Sequence, residues 1–288
     1  MKPITFPKEY NYCAVFLTLG CQLKCSYCIN IMDYKRSDLA HKRRAMTADD
    51  WIAGLNRIEA TDELPLSLQG GEPTSHPDFY KIIAGVNRPM DLLTNVQFNI
   101  REFKENVPIT KFKRNAPYAS IRISYHPEQM RLDDTVARVL ALKNSGYQVG
   151  VWMVEVPDQM KHFTEAKYAF QKEGIDFRSK ELLGEYKGVV YGHLKYPNSV
   201  GEAPENFKTV MCRTTELLIA PDGSIHRCHS DIYNLRPSPL GHLLDEEFSL
   251  DRTFRTCDVY GDCSGCDVKV KTNRFQQHGH TSVEIMEV

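Results

Sequence analysis

The chain has 288 residues, 42% of them hydrophobic and 25% charged, with a formal net charge of −1. This is the composition of an ordinary soluble globular protein with room for one sizeable core and a smaller second unit. The near-neutral balance supplies no global field for nucleic acid; with no signal peptide and no long apolar run, no membrane partner is expected and the expected compartment is the cytoplasm.

Residues 1–12 read as a lead-in. The apolar run from Cys13 to Leu19 reads as a buried strand with Cys13 in its core. It leads into Cys21-Gln22-Leu23-Lys24-Cys25-Ser26-Tyr27-Cys28, three cysteines within eight residues. A loop can wrap such thiolates around one small, soft inorganic centre. A 4Fe–4S cube suits them, and three ligands leave one iron open for chemistry. Zinc, for which His41 is a distant fourth ligand, and incidental thiols are the alternatives; a disulfide framework does not suit a chain of this size. Residues 31–46 are basic and polar and extend the loop. Their Lys42-Arg43-Arg44, like Lys111-Phe112-Lys113-Arg114 further on, reads as solvated surface.

Thr47 is the expected N-cap of a helix, with Asp50 at its third position and Trp51, Leu55 and Ile58 at helical spacing. Leu64 to Leu68 is a short strand running into Gln69-Gly70-Gly71-Glu72-Pro73-Thr74. Two glycines there permit unusual dihedrals and close approach of a ligand to the backbone, and the Glu72 carboxylate can accept from an ammonium group. The pattern continues with a helix at 77–86, a strand from Met90 to Val96, a strand from Tyr118 to Tyr125 and a helix from Asp133 to Asn144 closed by Gly146. A strand from Gln148 to Val156, a helix from Asp158 to Lys172 and a strand from Ile175 to Lys180 complete it, while residues 100–117 have no clear pattern. Six βα units between residues 13 and 182 predict an α/β fold whose ligands bind at the C-terminal ends of parallel strands. Asn95, Ser124, His126, Glu155 and Lys180 fall near such ends and are pocket candidates. His126 is also an acid–base candidate, because imidazole titrates near neutrality.

Residues 183–206 read as a bridge. Beyond it lie Cys212, Cys228, Cys257, Cys263 and Cys266, with no cysteine between Cys28 and Cys212. Glu216 to Ala220, the turn Pro221-Asp222-Gly223-Ser224 and Ile225 to Cys228 predict a β-hairpin that brings Cys212 and Cys228 toward one centre. Cys257-x5-Cys263-x2-Cys266 follows, and four thiolates suit zinc as well as iron–sulfur. Residues 271–288, with His278 and His280, read as a tail.

At Cys21, Cys25 and Cys28 the C-x3-C-x2-C spacing, the aromatic Tyr27 before the last cysteine and the place after the first strand resemble the radical SAM superfamily. The resemblance implies a 4Fe–4S cluster on these cysteines. Its open iron would chelate S-adenosylmethionine, and one electron from a donor such as flavodoxin or ferredoxin would yield a 5′-deoxyadenosyl radical. Gly70, Gly71 and Glu72 resemble the family's GGEP element, which binds the cofactor's amino group; Tyr27, Asn95 and Ser124 are further cofactor-side positions. The implied fold is a partial (β/α)6 TIM-like barrel with a small C-terminal β-hairpin auxiliary-cluster domain. That second region resembles a twitch domain, the shorter relative of SPASM, so Cys212, Cys228, Cys263 and Cys266 are the expected ligands of one auxiliary 4Fe–4S cluster. Cys257 is left over. It can exchange into the cluster, be inert, or face the barrel as a hydrogen-atom donor.

The expected division is 1–12 lead-in, 13–182 barrel, 183–206 bridge, 207–270 auxiliary region and 271–288 tail. The expected reaction is hydrogen abstraction from a small metabolite or an amino-acid or peptide substrate. An auxiliary cluster favours net oxidation, either dehydrogenation or ring or crosslink formation. Epimerisation finished by Cys257 is the alternative, and a non-catalytic iron–sulfur or zinc protein is the rival from another class. The absence of an N-terminal peptide-recognition domain tilts the expectation toward a small metabolite.

Overall fold

The computed structural model describes residues 1–30, 46–60, 64–237, 239–271 and 280–287. The basic segment with His41 and Lys42-Arg43-Arg44, and His278 near the C-terminus, lie outside the described residues.

Six strands succeed one another: β1 (Tyr12–Thr18), β2 (Leu66–Gly70), β3 (Met90–Thr94), β4 (Ile121–Ser124), β5 (Val149–Glu155) and β6 (Asp176–Glu181). Between them lie α1 (Ala48–Asn56), α2 (Phe79–Gly85), α3 (Ile100–Asn106), α4 (Leu132–Lys143) and α5 (Met160–Lys172). The strands pair in chain order, every neighbour parallel. Alternation explains the arrangement. Val15, Leu17, Leu66, Leu68, Leu92, Ile121, Ile123 and Val151 share the helix side of the sheet and are at most 2% exposed. Each such side chain contributes roughly 1.5–3 kcal/mol on burial. The alternate positions carry Ser67, Gln69, Asp91, Arg122, Ser124 and Lys180 beside the apolar Ala14, Phe16, Leu93 and Trp152. Asp91, fully buried, pairs with Arg114 at 2.8 Å and Arg122 at 3.1 Å. Burial pushes its carboxyl pKa up, and the two guanidiniums act against that shift.

Of these five helices, α1 and α3 begin at side-chain caps. Thr47 caps α1 and Asp50 reciprocates. Helix α1 stops at Asn56, so Ile58 does not extend it: Ile58–Glu59 forms a short parallel pair with Ile4–Thr5. The lead-in is therefore stitched to the core. Helix α3 forms where no pattern was expected. Asn99 accepts from the amides of Arg101 and Glu102, and Phe103 alone of its residues is buried, which leaves little periodicity to read.

The C-terminal part contains β7 (Lys208–Thr214), β8 (Glu216–Ile219), β9 (Ser224–His226), β10 (Gly241–His242), β11 (Arg255–Tyr260) and β12 (Val283–Glu287), with short helices α6 (His229–Tyr233) and α7 (Gly265–Val268). The hairpin β8–β9 turns at Gly223, whose φ of 80° suits glycine. It continues the main sheet: β8 runs parallel to β1 with Glu216 opposite Tyr12 and Ile219 opposite Val15. Among the described residues the sheet thus has nine strands in the order β10-β9-β8-β1-β2-β3-β4-β5-β6. Thr215 alone separates β8 from β7, the centre of a three-stranded antiparallel sheet ordered β11-β7-β12. Residues 271–288, expected as a tail, supply its edge strand β12.

Candidate functional site

The cysteine loop leaves the C-terminal end of β1 and is tied down from several sides. Gly20 N donates to Thr18 Oγ1 at 2.9 Å, Asn30 Nδ2 to Leu19 O at 2.6 Å and Cys28 N to Cys25 O at 3.1 Å. Ser26 donates through N and Oγ to Glu128, which also accepts from Gln159. Cys25 is buried, Cys28 half-buried and Cys21 exposed. Burial, with the nearby Cys28, Glu128 and Cys21, pushes the Cys25 thiol up to about 12. Burial likewise raises Cys21, with Glu72 and Cys28 adding to it. Three thiolates this close repel one another, and a cationic centre stabilises them; they are the donor set an iron–sulfur cube takes. Among the described residues no three His, Cys, Asp or Glu converge with the spacing for a single metal ion.

The loop after β2 is bound directly to this one. Gly71 N donates to Thr18 O at 2.9 Å and Glu72 N to Gly20 O at 2.8 Å. The approach is so close that a Cβ on Gly71 would lie 2.0 Å from Gly20 O, and Gly70 has a φ of 124°. Glu72, the candidate acceptor for an ammonium group, is 1% exposed and accepts from Thr74 N (3.1 Å), Thr74 Oγ1 (2.6 Å), Thr94 Oγ1 (2.8 Å) and Asn95 N (2.7 Å). Burial raises its pKa against the pull of those four donors.

Asn95, at the end of β3, is 4% exposed. Its Oδ1 accepts from Gln22 Nε2 and Gln97 N, both at 3.0 Å, and its Nδ2 lies 3.6 Å from Cys21 Sγ. It therefore touches the cysteine loop directly. The next residue, Val96, is fully buried with φ of 59°. A β-branched residue in the left-handed region is strained, and the strain lies beside Asn95. Nothing in the local sequence signals it.

Ser124 ends β4 on the face opposite the helices, half-buried. Half-buried His126 follows, with Nδ1 3.0 Å from the Tyr27 hydroxyl. Burial and the Lys180 charge pull its pKa down to about 4, Glu128 opposing. Burial, then Arg122, lowers Lys180 to about 8, while Cys266 acts the other way. Lys180 has no carboxylate partner among the described residues. Glu155 is exposed and shares the helix-side parity of Val151 and Met153, so it does not join that face.

The C-terminal cysteines form a separate group. Cys212 on β7, Cys228 at the N-cap of α6, Cys257 on β11 and Cys263 just beyond it line one cavity with Arg227 and Asp267. Cys257, left over from the expected ligand set with exchange into the cluster, an inert place and the barrel as its alternatives, lies in this cavity. Cys266, expected as a ligand, is not among the residues lining it. Cys212 and Cys257 perturb each other strongly: as a buried pair they release one proton more readily and hold the other. Arg227, beside both, has a buried Nε with no acceptor among the described residues. His280 accepts or donates at 2.9 Å to Asn11 and Thr215, a structural role apart from either cysteine group.

No protein-family model matches the chain. Curated GTP 3',8-cyclases of two Clostridium perfringens strains, SM101 / Type A and 13 / Type A, are each 26% identical to it over 83 residues, which is 29% of this chain and 25% of theirs. The match thus spans about a quarter of those relatives. Three solved structures correspond over 84% of this chain and 78% of their own. Native anSMEcpe with bound AdoMet and Cp18Cys peptide has a TM-score of 0.51 at 15% identity, and the Kp18Cys complex 0.52 at 14%. Hexahistidine-tagged anSMEcpe with bound AdoMet has 0.52 at 15%. At such identities the likeness is one of architecture: the mixed α/β fold with its parallel sheet is similar to that of anSMEcpe.

Proposed function

We propose that the chain is a radical SAM enzyme in which Cys21, Cys25 and Cys28 hold a 4Fe–4S cluster with an iron open to S-adenosylmethionine. One observation carries the reading: the loops after β1, β2 and β3 are hydrogen-bonded into a single unit, through Glu72 N to Gly20 O, Asn95 N to Glu72 and Asn95 to Gln22. Together, cluster and S-adenosylmethionine supply a 5′-deoxyadenosyl radical that takes a hydrogen atom from the substrate. The chain's own residues position the reactants. Gly70 and Gly71 offer bare backbone to the cofactor's amino end, and Glu72 holds the three loops in register. Asn95 steadies Cys21. Tyr27, hydrogen-bonded to His126, and Ser124 flank the face opposite the helices, where the Lys180 ammonium suits an anionic substrate group.

We read the sheet as a partial (β/α)6 barrel over residues 13–182, joined through a bridge at 183–206 to a twitch/SPASM-like region at 207–270, with 1–12 and 271–288 as flanking segments. The cysteine cavity is the place for an auxiliary 4Fe–4S cluster, which suits net oxidation by dehydrogenation or by ring or crosslink formation. Epimerisation finished by Cys257 has less support, because Cys257 lies in that cavity. A small metabolite and an amino-acid or peptide substrate both fit; peptides bound to anSMEcpe favour the second class. The electron comes from an external donor such as flavodoxin or ferredoxin. No helix among the described residues is long and apolar enough to cross a membrane, in keeping with a cytoplasmic enzyme.

The test is anaerobic reconstitution with iron and sulfide, strong reduction, and measurement of 5′-deoxyadenosine and methionine. Both are expected from wild type and neither from the Cys21, Cys25, Cys28 triple alanine variant. A fully loaded protein that makes neither product is a non-catalytic metal protein.

A further inference from the structure

Five cysteines compete for the auxiliary centre, and their placement selects four. Strands β7 and β11 pair with Val210 opposite Cys257 and Cys212 opposite Arg255, so Cys212 and Cys257 are diagonal neighbours on adjacent strands. They are 5% and 7% exposed. Cys228 enters from the N-terminus of α6, its Sγ accepting from Asp231 N at 3.4 Å. Cys263 is held by its own amide, which donates to Ser199 O at 2.9 Å.

Cys266 is placed differently. Its helix neighbour Asp267 lines the cavity and is fixed there, accepting from His229 N at 2.9 Å and Ser230 N at 3.1 Å. Successive helical residues are rotated by about 100°, so Asp267 inside the cavity leaves Cys266 on another face of α7. The charges of Asp267, Lys271, Lys269 and Lys180 all act on Cys266, and it acts on Tyr233. The Tyr233 ring packs 6.0 Å from Phe16 on β1, which places this side against the main sheet.

The cavity wall also carries two guanidiniums. Arg227 donates to Thr256 O at 3.0 Å and pairs with Asp231 at 3.4 Å, yet its Nε is buried without an acceptor among the described residues. An unsatisfied buried N–H costs about 1–3 kcal/mol, and the sulfurs of an anionic cluster are acceptors. Arg236, paired with Asp231 and Asp262, adds a second guanidinium to the same wall.

Resting on the auxiliary-cluster reading above, we propose that this centre takes its four thiolates from Cys212, Cys228, Cys257 and Cys263, and that Cys266 is not a ligand but a free thiol on the side of the main sheet. The full chain with Cys21, Cys25 and Cys28 replaced by alanine isolates the auxiliary centre. After anaerobic loading it should hold about four irons. Adding Cys266→Ser should leave that number unchanged, whereas Cys257→Ser should abolish it or convert the cluster, seen as lost iron and an altered paramagnetic resonance spectrum. Iron retained by Cys257→Ser and lost by Cys266→Ser overturns the ligand assignment. A background variant that binds no iron at all overturns the auxiliary-cluster reading itself. If a serine variant fails to fold, alkylation of loaded wild type decides: iodoacetamide should label Cys266 while iron is retained and Cys257 only once iron is chelated. Labelling of Cys266 only on iron release refutes the proposal.

Discussion

Replacing Glu72 by glutamine separates two roles of the Gly-Gly-Glu loop. The carboxylate is 1% exposed and receives four donors, two of them backbone amides. Glutamine retains one carbonyl oxygen. With it turned to the threonines, the new NH2 group faces Asn95 N–H; flipped, it faces Thr74 N–H. Either way a buried backbone donor loses its acceptor. Hydrogen bonds to a charged group contribute about 1.5–3 kcal/mol, and a buried unsatisfied donor costs about 1–3 kcal/mol. Relief from burying a charge offsets part of this, leaving a net loss of about 2–4 kcal/mol. At roughly 2–4 °C per kcal/mol for a chain near this size, Tm should fall by about 5–15 °C. The grip of Asn95 on Cys21 and Gln22 should loosen with it. The assay is an anaerobic thermal melt of iron-loaded wild type and Glu72→Gln, with iron content and S-adenosylmethionine affinity measured on the same samples. A variant that melts within a degree of wild type, loads iron fully and loses only cofactor affinity would show that the carboxylate contacts the ammonium directly, and the organising role would be wrong.

Gly71→Ala should prevent iron loading, because the new Cβ meets the fixed carbonyl of Gly20 at 2.0 Å; a variant with normal iron content and Tm contradicts the close-approach argument. Burial and Lys180 lower the His126 pKa to about 4, below its unfolded value near 6.5. Its stabilisation is therefore complete above about pH 6.5 and lost as pH falls toward 4, so Tm should drop more steeply over that window in wild type than in His126→Phe, and equal slopes would count against it. Arg227→Leu should move the auxiliary reduction potential to more negative values, because a donor and a positive charge leave the cluster's surroundings; an unchanged redox titration would place Arg227 elsewhere.

The βα alternation was legible because the strands carry dense apolar runs and α1, α4 and α5 have clear caps or periodicity. The cysteine loop and the two glycines were legible because their chemistry lies in residue type and spacing. What escaped depends on distant partners. The Cys257 strand, Arg255–Tyr260, buries only Cys257 and Tyr260, so it reads as polar loop until β7 is beside it. Pairing of β8 with β1 joins Glu216 to Tyr12, which no local window contains. The inward turn of Glu72 depends on Thr94 and Asn95, one unit further along the sheet. The resemblance to a twitch domain implied Cys266 as a ligand, and the contact of its neighbour Asp267 with α6 is something spacing does not carry.

The docking of β8 beside β1 also sets an order of events during synthesis. Until residues 216–219 have been made and folded back, β1 has an unpaired edge and the cysteine loop hangs from a half-supported strand. At about 5–20 residues per second, that interval lasts roughly 10–40 s on the ribosome. Through it the apolar sequence Tyr12–Thr18 offers a bare template for pairing with other chains. A chain interrupted before Glu216 would keep that edge permanently, and aggregation, rather than mere loss of the second cysteine group, is the defect to expect from it.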